Sequence, residues 1–204
     1  MRTRRRDVLR ATAATAALGS LPVPAIAQGV KELKMVTDWT ENMPGLRAGA
    51  ERLARTITAL SDGRLNVAVY SANTLVHEFE TFDAVSAGVA DMYHTDEVYF
   101  QSKSPALNFF AAVPYGLTAD ELSSWVLFGG GQALWDEVDA QFNIKPLMAT
   151  NSGTQMGGWF TREVNSPEDY KGLRYRMPEL GAEVLRRMGA TVVTTPGGEI
   201  MGAL

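Results

Sequence analysis

The sequence contains no cysteine among its 204 residues. A disulfide framework and thiol catalysis are therefore excluded for this sequence, and its fold must be stabilised by burial of apolar side chains. Hydrophobic residues account for 46% of the chain, a normal fraction for a globular protein. Disorder and a tandem-repeat array are both disfavoured, and the length fits one ordinary domain or two small ones.

A long, strongly apolar run is also missing, even at the N-terminus. Residues 4–6 are three arginines, an Ala/Thr-rich and weakly apolar stretch follows, and residues 25–27 read Ala-Ile-Ala. A basic segment, a weak apolar segment and a small-x-small site are typical of a signal peptide, and two prolines interrupt any membrane anchor. We predict that residues 1–27 are a twin-arginine-type signal peptide, that the protein is exported to a bacterial periplasm, and that the mature chain starts near Gln28.

Positive charge is scarce outside this N-terminal segment. Removal of residues 1–27 takes away five arginines and one aspartate, which leaves the mature chain four charges more negative than the −4 of the whole sequence. No basic cluster remains to neutralise phosphates, so nucleic acid is not an expected partner.

Familiar enzyme motifs are missing as well. The sequence has no G-x-S-x-G elbow, no Walker loop, no strand-linked G-x-G-x-x-G and no H-E-x-x-H. The only histidines are His77 and His94, and an imidazole beside acids, as at His77, is usually solvated rather than bound to a metal. No catalytic residue and no catalytic metal is predicted.

Strand-like and helix-like segments alternate after the signal, which predicts an α/β fold with mostly parallel strands. The predicted strands are 33–39, 65–70, 90–94, 145–150, 172–177 and 190–194. The predicted helices are 45–60, 78–87, one that follows a capping box at 118–121, 132–142, a short one after Ser166-Pro167, 179–188 and one that opens at 196–199.

Anion-binding chemistry is concentrated between 151 and 188. Arg174 and Arg176 lie two apart in a predicted strand and so share a face, and a guanidinium offers a rigid fork of donors that matches a carboxylate. From spacing alone either arginine could be the anchor, or both could be surface cations. Gln155 follows a glycine-containing turn in which backbone can approach a ligand closely.

The mature chain resembles the solute-binding proteins of tripartite ATP-independent periplasmic (TRAP) transporters, and among them the branch that binds 2-oxo acids and related small carboxylates. The segments that carry the resemblance are MVTDWTENMPGL, GVADMYHTDEVYFQSKSPALNFFAAVPYGLTADEL and TNSGTQMGGWFTREVNSPEDYKGLRYRMPELGAEVLRRMGATVVTTPGGEI. They follow in the family's order along the whole mature length.

The resemblance implies a periplasmic-binding-protein-like, two-lobe α/β architecture. We expect residues 28–150 to form the N-terminal lobe and residues 151–204 to begin the second, with the turn at 151–158 as the crossover between them. Family members continue well beyond Leu204. We therefore expect an N-terminal fragment in which the second lobe and the C-terminal helix are incomplete.

The resemblance also implies a function without catalysis. It makes Arg176, rather than Arg174, the carboxylate anchor, and it gives Gln155 a contact with the ligand or a bound sodium ion; we add Tyr93 and Asn151 to the expected substrate-binding set. The implied cargo is a 2-oxo acid such as pyruvate, passed to a membrane permease for sodium-coupled uptake, with a homodimer possible only in the full-length form. No cofactor other than sodium is implied.

One departure from the family concerns charge near the expected pocket. Residues 96–98 read Asp-Glu-Val where relatives commonly carry small or aromatic residues. An acid there repels an anion unless it points away or is hydrogen-bonded. The alternatives to a TRAP binding protein are a binding protein of an ABC importer or sensor, and an exported enzyme of unknown reaction.

Overall fold

The computed structural model describes residues 29–203. The predicted signal peptide, residues 1–27, lies outside the described residues. Strands and helices alternate along the described part, which confirms the α/β prediction. Within it, no helix is both long enough and apolar enough to cross a bilayer.

The strands and helices are short apart from one long first helix. The strands are β1 (Lys31–Thr37), β2 (Leu65–Tyr70), β3 (Met92–His94), β4 (Arg174–Arg176) and β5 (Thr191–Val193). The α-helices are α1 (Leu46–Leu60), α2 (Thr81–Ser86), α3 (Ala119–Phe128), α4 (Gly131–Ala140), α5 (Glu179–Arg187) and α6 (Ile200–Ala203). The 3₁₀ helices are Glu78–Glu80, Glu97–Phe100, Pro105–Phe110, Pro167–Tyr170 and Gly197–Glu199.

The first sheet is parallel and has the strand order β2-β1-β3. In its register Val36 pairs with both Tyr70 and Tyr93, and Thr37 pairs with His94. The carboxyl ends of the three strands therefore meet at one edge, the position at which open α/β sheets usually bind ligands.

Helix α1 covers this sheet with its apolar face. Ala50 and Ala54 are buried against Leu33, Met35 and Val67, and they form the first core cluster. The helix then ends where Asp62 and Gly63 adopt positive φ angles, as the predicted Ser-Asp-Gly stop requires.

Aromatic side chains contribute much of the remaining core. Phe82 packs against Phe100 with ring centroids 5.0 Å apart, and Phe110 stacks on Trp135 at 5.3 Å. The first pair belongs to a second core cluster and the second pair to a third. The chain thus uses aromatic burial where a secreted protein often uses disulfides.

The second sheet contains β4 and β5, which are also parallel. Helix α5 connects them and buries Ala182 and Leu185. The two sheets are separate, but residues 31–204 form one compact unit by their internal contacts. The proposed division into lobes at 150/151 stays a prediction.

The predicted strand at 145–150 is wrong, since no strand is formed there. Pro146 has no N–H to contribute to a strand ladder, and its carbonyl oxygen accepts a hydrogen bond from Gln132 Nε2 at 2.9 Å.

The predicted helix at 78–87 is divided into a 3₁₀ turn and the shorter α2. The predicted capping box is confirmed, because the backbone N–H of Thr118 donates to Glu121 and the backbone N–H of Glu121 donates to Thr118.

Candidate ligand-binding site

The carboxyl ends of the parallel strands place several polar side chains close together. Asp38 and Trp39 follow β1, Thr95 and Asp96 follow β3, and Arg176 ends β4. This group of strand ends is the candidate site.

Arg176 is half-buried, whereas Arg174 on the same strand is exposed. Arg176 Nε donates to the carbonyl oxygen of Thr195 at 2.8 Å, which fixes the orientation of the guanidinium plane. Tyr99 lies near the same guanidinium: burial raises the pKa of the Tyr99 hydroxyl, and its interaction with Arg176 opposes that shift. The structure therefore distinguishes two arginines that spacing alone could not.

Asp96 interacts electrostatically with Arg176. Burial raises the pKa of Asp96, and a hydrogen bond from the Val98 backbone and the positive charge of Arg176 both oppose the shift. The Val98 N–H donates to Asp96 Oδ1 at 3.3 Å. The acid that departs from the family pattern is thus hydrogen-bonded and balanced by a cation, which reduces its repulsion of an incoming anion.

Tyr93 lies at the same strand end but its hydroxyl is already engaged. It donates to Glu97 Oε1 at 2.9 Å, and its ring lies 6.1 Å from that of Phe82 in the aromatic core. Burial raises the pKa of Tyr93, and the negative charge of Glu97 adds to this effect. A ligand contact through the Tyr93 hydroxyl would compete with Glu97.

Asn151 and Gln155 are both exposed on the predicted crossover, residues 151–158. Asn151 Oδ1 accepts the N–H of Gly153 at 2.7 Å, and Gln155 Nε2 donates to Ser152 Oγ at 2.8 Å. The Gln155 contact uses the amide nitrogen, so its side-chain carbonyl oxygen is the atom with which Gln155 could coordinate a hard cation.

The crossover is tied to β4 by one aromatic hydroxyl. Tyr175 donates to the carbonyl oxygen of Gly157. A Cβ on Gly158 would meet that same hydroxyl, so glycine is required where the crossover approaches the strand. Through Tyr175, the segment that carries Gln155 is held beside the strand that carries Arg176.

Buried acids surround the strand ends. Asp38 is only 4% exposed and accepts hydrogen bonds from the hydroxyls of Thr81, at 2.7 Å, and Thr95. Burial nevertheless raises the pKa of Asp38 to about 7. The pKa of Glu97 is raised to about 8, first by burial and then by the charge of Asp139. Both acids are therefore largely protonated in mildly acidic solution.

A preformed multidentate metal site is not found among residues 29–203, where no cluster of three or more His, Cys, Asp or Glu side chains could hold an ion.

Sequence reasoning missed the pairing of Arg176 with Tyr99 and Asp96. It also missed the contacts of His94, whose Nδ1 accepts from Trp39 Nε1 at 2.7 Å. Of these residues, His94 ends β3 and Asp96 lies two residues beyond it. The rule that parallel sheets bind ligands at their carboxyl ends could have singled them out.

Comparison with known proteins identifies the family to which this chain is similar. Residues 35–204 match the family model of bacterial extracellular solute-binding protein, family 7 (DctP). The monocarboxylate 2-oxoacid-binding periplasmic protein of Nostoc sp. is 38% identical over 209 residues, which cover 98% of this chain and 57% of the relative.

Two crystal structures share the fold. A TRAP periplasmic solute-binding protein from Pseudoalteromonas atlantica, solved with bound sodium and pyruvate, is 36% identical with a TM-score of 0.82, over 85% of this chain and 53% of that one. A TRAP solute-binding protein from Bordetella bronchiseptica, a dimer with calcium and picolinate, is 30% identical with a TM-score of 0.83, over 86% of this chain and 52% of that one.

The chain thus spans between half and two thirds of the length of these relatives. The match is to solute-binding proteins rather than to an enzyme family, and it extends over nearly the whole described part. The chain belongs to family 7 of the bacterial extracellular solute-binding proteins, the family of TRAP solute-binding proteins.

Proposed function

We propose that the protein captures a small carboxylic acid, a 2-oxo acid such as pyruvate, in the periplasm and delivers it to a TRAP membrane permease for sodium-coupled uptake. The half-buried guanidinium of Arg176 carries this proposal, because it is fixed by Thr195 and lies at the strand ends where ligands bind. A fixed, partly desolvated guanidinium is suited to bidentate contact with a carboxylate.

The ligands of the relatives support the same chemical class. Pyruvate and picolinate are both carboxylates, and each was found in its protein together with a cation. The Nostoc relative is named for monocarboxylate 2-oxo acids. For this chain we propose a sodium ion bound with the substrate, with the Gln155 oxygen as one ligand and an oxygen of the acid as another.

Asn151 and Tyr93 complete the proposed substrate-binding set. Asn151 lies on the same exposed crossover as Gln155, and Tyr93 lies at the end of β3. We further propose export by the twin-arginine route, lobes divided at 150/151, and a homodimer in the full-length form.

A thermal-shift screen tests the binding proposal. The product of the whole reading frame that contains this chain is heated with pyruvate, other 2-oxo acids, a dicarboxylate and a sugar, with sodium or with a large organic cation in its place. We expect a 2-oxo acid to raise Tm most, since a ligand that binds only the native state stabilises it. Failure of every acid to raise Tm would contradict the proposal.

Substitutions of Arg176 and Arg174 provide a matched pair of test and control variants. Arg176→Met should abolish the shift that the acid produces, while Arg174→Met, which changes an exposed arginine on the same strand, should leave it intact. Equal effects of both variants would remove Arg176 from its proposed role. Gln155→Ala should weaken binding and reduce its sodium dependence, whereas Gln141→Ala, an exposed glutamine on another element, should do neither.

The family match disfavours the alternatives. An ABC importer or sensor module is not supported by the relatives found, and the match is not to an enzyme family. Turnover of any acid in the screen would reopen the enzyme hypothesis.

A further inference from the structure

His94 joins the end of the first sheet to the residue that precedes the crossover. Trp39 Nε1 lies 2.7 Å from His94 Nδ1, and Thr150 Oγ1 lies 3.0 Å from His94 Nε2. The imidazole is 5% exposed and the indole 4%. Both ring nitrogens of His94 are thus occupied by specific partners in a buried setting.

The indole determines the protonation state of this imidazole. An indole N–H can only donate a hydrogen bond, so Nδ1 of His94 must accept and cannot carry a proton. The single proton of the neutral ring is then on Nε2, where it donates to Thr150 Oγ1. If His94 carried a proton on both nitrogens, its Nδ1–H would point at the Nε1–H of Trp39, and the hydrogen bond between the two rings would be replaced by a repulsion.

Thr150 is held on its opposite side by α1. A Cβ on Gly49 would lie 2.3 Å from Thr150 Cγ2, which shows how closely the threonine methyl approaches the helix backbone. Thr150 is therefore fixed between the helix and His94. It directly precedes Asn151, the first residue of the crossover that also carries Gln155.

We infer that His94 is a positioning residue for acid binding: in its neutral form it holds the crossover, through Thr150, where Asn151 and Gln155 meet the ligand. Protonation at Nδ1 sets two N–H groups against each other at Trp39, so the ring moves away from Trp39 and Thr150 and releases the crossover and the acid. This inference rests on the proposed acid-binding function. His94 would thus control the affinity for the acid without contacting it. The acid would be released on acidification.

The surroundings of His94 favour the neutral ring at neutral pH. Burial lowers the pKa of His94, and a backbone hydrogen bond only partly opposes it. The charged and titratable groups on the neighbouring elements are Asp38 after β1, Asp96 and Glu97 after β3, Glu78 before α2 and Arg47 on α1. Asp38 and Glu97 also gain protons on acidification, so the experiment must separate their titration from that of His94.

Acid affinity is measured by calorimetry between pH 8 and pH 5 on the product of the whole reading frame. For the unsubstituted protein we expect the Kd for pyruvate to rise about tenfold as the pH falls below the ordinary histidine range, as for loss of one or two hydrogen bonds. His94→Gln cannot titrate but keeps one acceptor and one donor, so it should bind and show a much flatter profile. His94→Leu keeps neither and should bind about tenfold more weakly at every pH.

Three controls isolate the effect. His77→Gln changes the exposed histidine and should leave the profile unchanged. Asp38→Asn removes the titration of Asp38 alone, so the rise in Kd that protonation of His94 causes should remain. Thr150→Val removes the hydroxyl that His94 contacts and should weaken binding as His94→Leu does.

Hydrogen exchange of residues 151–158 provides a readout that needs no ligand. The protection factors of these amides, which correct for the slower intrinsic exchange at low pH, should fall on acidification in the unsubstituted protein and should not in His94→Gln. A His94→Gln profile identical to the unsubstituted one, in binding and in exchange, would overturn the inference. If no acid binds but exchange behaves as expected, the proposed function fails while the positioning of the crossover by His94 stands.

Discussion

Arg176 Nε donates to the carbonyl oxygen of Thr195 at 2.8 Å, which joins the end of β4 to the segment that follows β5. Tyr99 is a second neighbour of the guanidinium, because burial raises the pKa of Tyr99 and the interaction with Arg176 opposes that shift. Two separate stretches of chain thus orient one cation at the carboxyl ends of the strands. Such orientation before binding lowers the conformational entropy that the arginine side chain loses when a ligand binds.

This geometry predicts that charge alone is not enough at position 176. Arg176→Lys keeps the positive charge but loses the planar fork and the Nε contact with Thr195. We expect acid affinity to fall by about 10- to 100-fold, or ~1.4–2.8 kcal/mol. Calorimetric titration with pyruvate measures the effect, and Arg174→Lys is the control. Full affinity in Arg176→Lys would show that the site binds its anion by simple electrostatic attraction.

Asp96 should oppose anion binding, since its carboxylate interacts with the guanidinium that is proposed to hold the ligand. Asp96→Asn removes the negative charge and retains an oxygen that can accept the Val98 N–H. We expect acid affinity to increase about threefold to tenfold at low salt, with a smaller gain at high salt. Asp120→Asn, at an exposed helix start, is the control for net charge. Weaker binding in Asp96→Asn would instead mean that Asp96 orients Arg176 for the ligand.

Local signals account for the elements that the sequence predicted well. The residues of α1 repeat at helical spacing and end at a Ser-Asp-Gly stop, and β2 alternates between turn signals, so both elements were found within one or two residues. Strand pairing is not local. The segment 145–150 has the composition of a strand, but a proline and a side-chain contact to its carbonyl take it out of any described sheet.

At the candidate site, too, the local features were predicted from the sequence and the long-range contacts were not. The placement of Arg176 on a short strand followed from period-two spacing, and its selection over Arg174 came from family resemblance. Arg176 also interacts with residues about 80 positions earlier in the chain, Tyr99 and Asp96, whose raised pKa values it partly lowers. A pattern within the strand carries no information about such distant partners.

Glu97 makes stability depend on pH. Its pKa is raised from 4.5 to about 8, so between these values the folded protein binds a proton that the unfolded chain does not. Folding stability should therefore fall as the pH rises through this window. Glu97→Gln keeps an oxygen for the Tyr93 hydroxyl and cannot ionise. We expect it to raise Tm by several degrees at pH 8 and to leave Tm nearly unchanged at pH 4.5.

Thermal unfolding followed by circular dichroism at half-unit steps of pH measures this effect. Asp38 and Asp139, whose pKa values are raised to about 7 and about 6, act in the same direction and will leave a residual slope. Glu168→Gln changes an exposed acid and serves as the control. A profile in Glu97→Gln as steep as that of the unsubstituted protein would show that Glu97 is ionised in the folded state.

The close approach of Gly49 to Thr150 predicts a pair of coupled substitutions. Gly49→Ala places a methyl group 2.3 Å from Thr150 Cγ2 in a buried position, so the helix or the crossover must move. We expect a loss of about 1–3 kcal/mol in the free energy of unfolding, although alanine is the better helix former. Thr150→Ser removes Cγ2 and keeps the hydroxyl that contacts His94, so it should recover most of the loss in the double variant. Urea unfolding of the four proteins gives the coupling energy directly, and additive effects would mean that the two residues are not in contact.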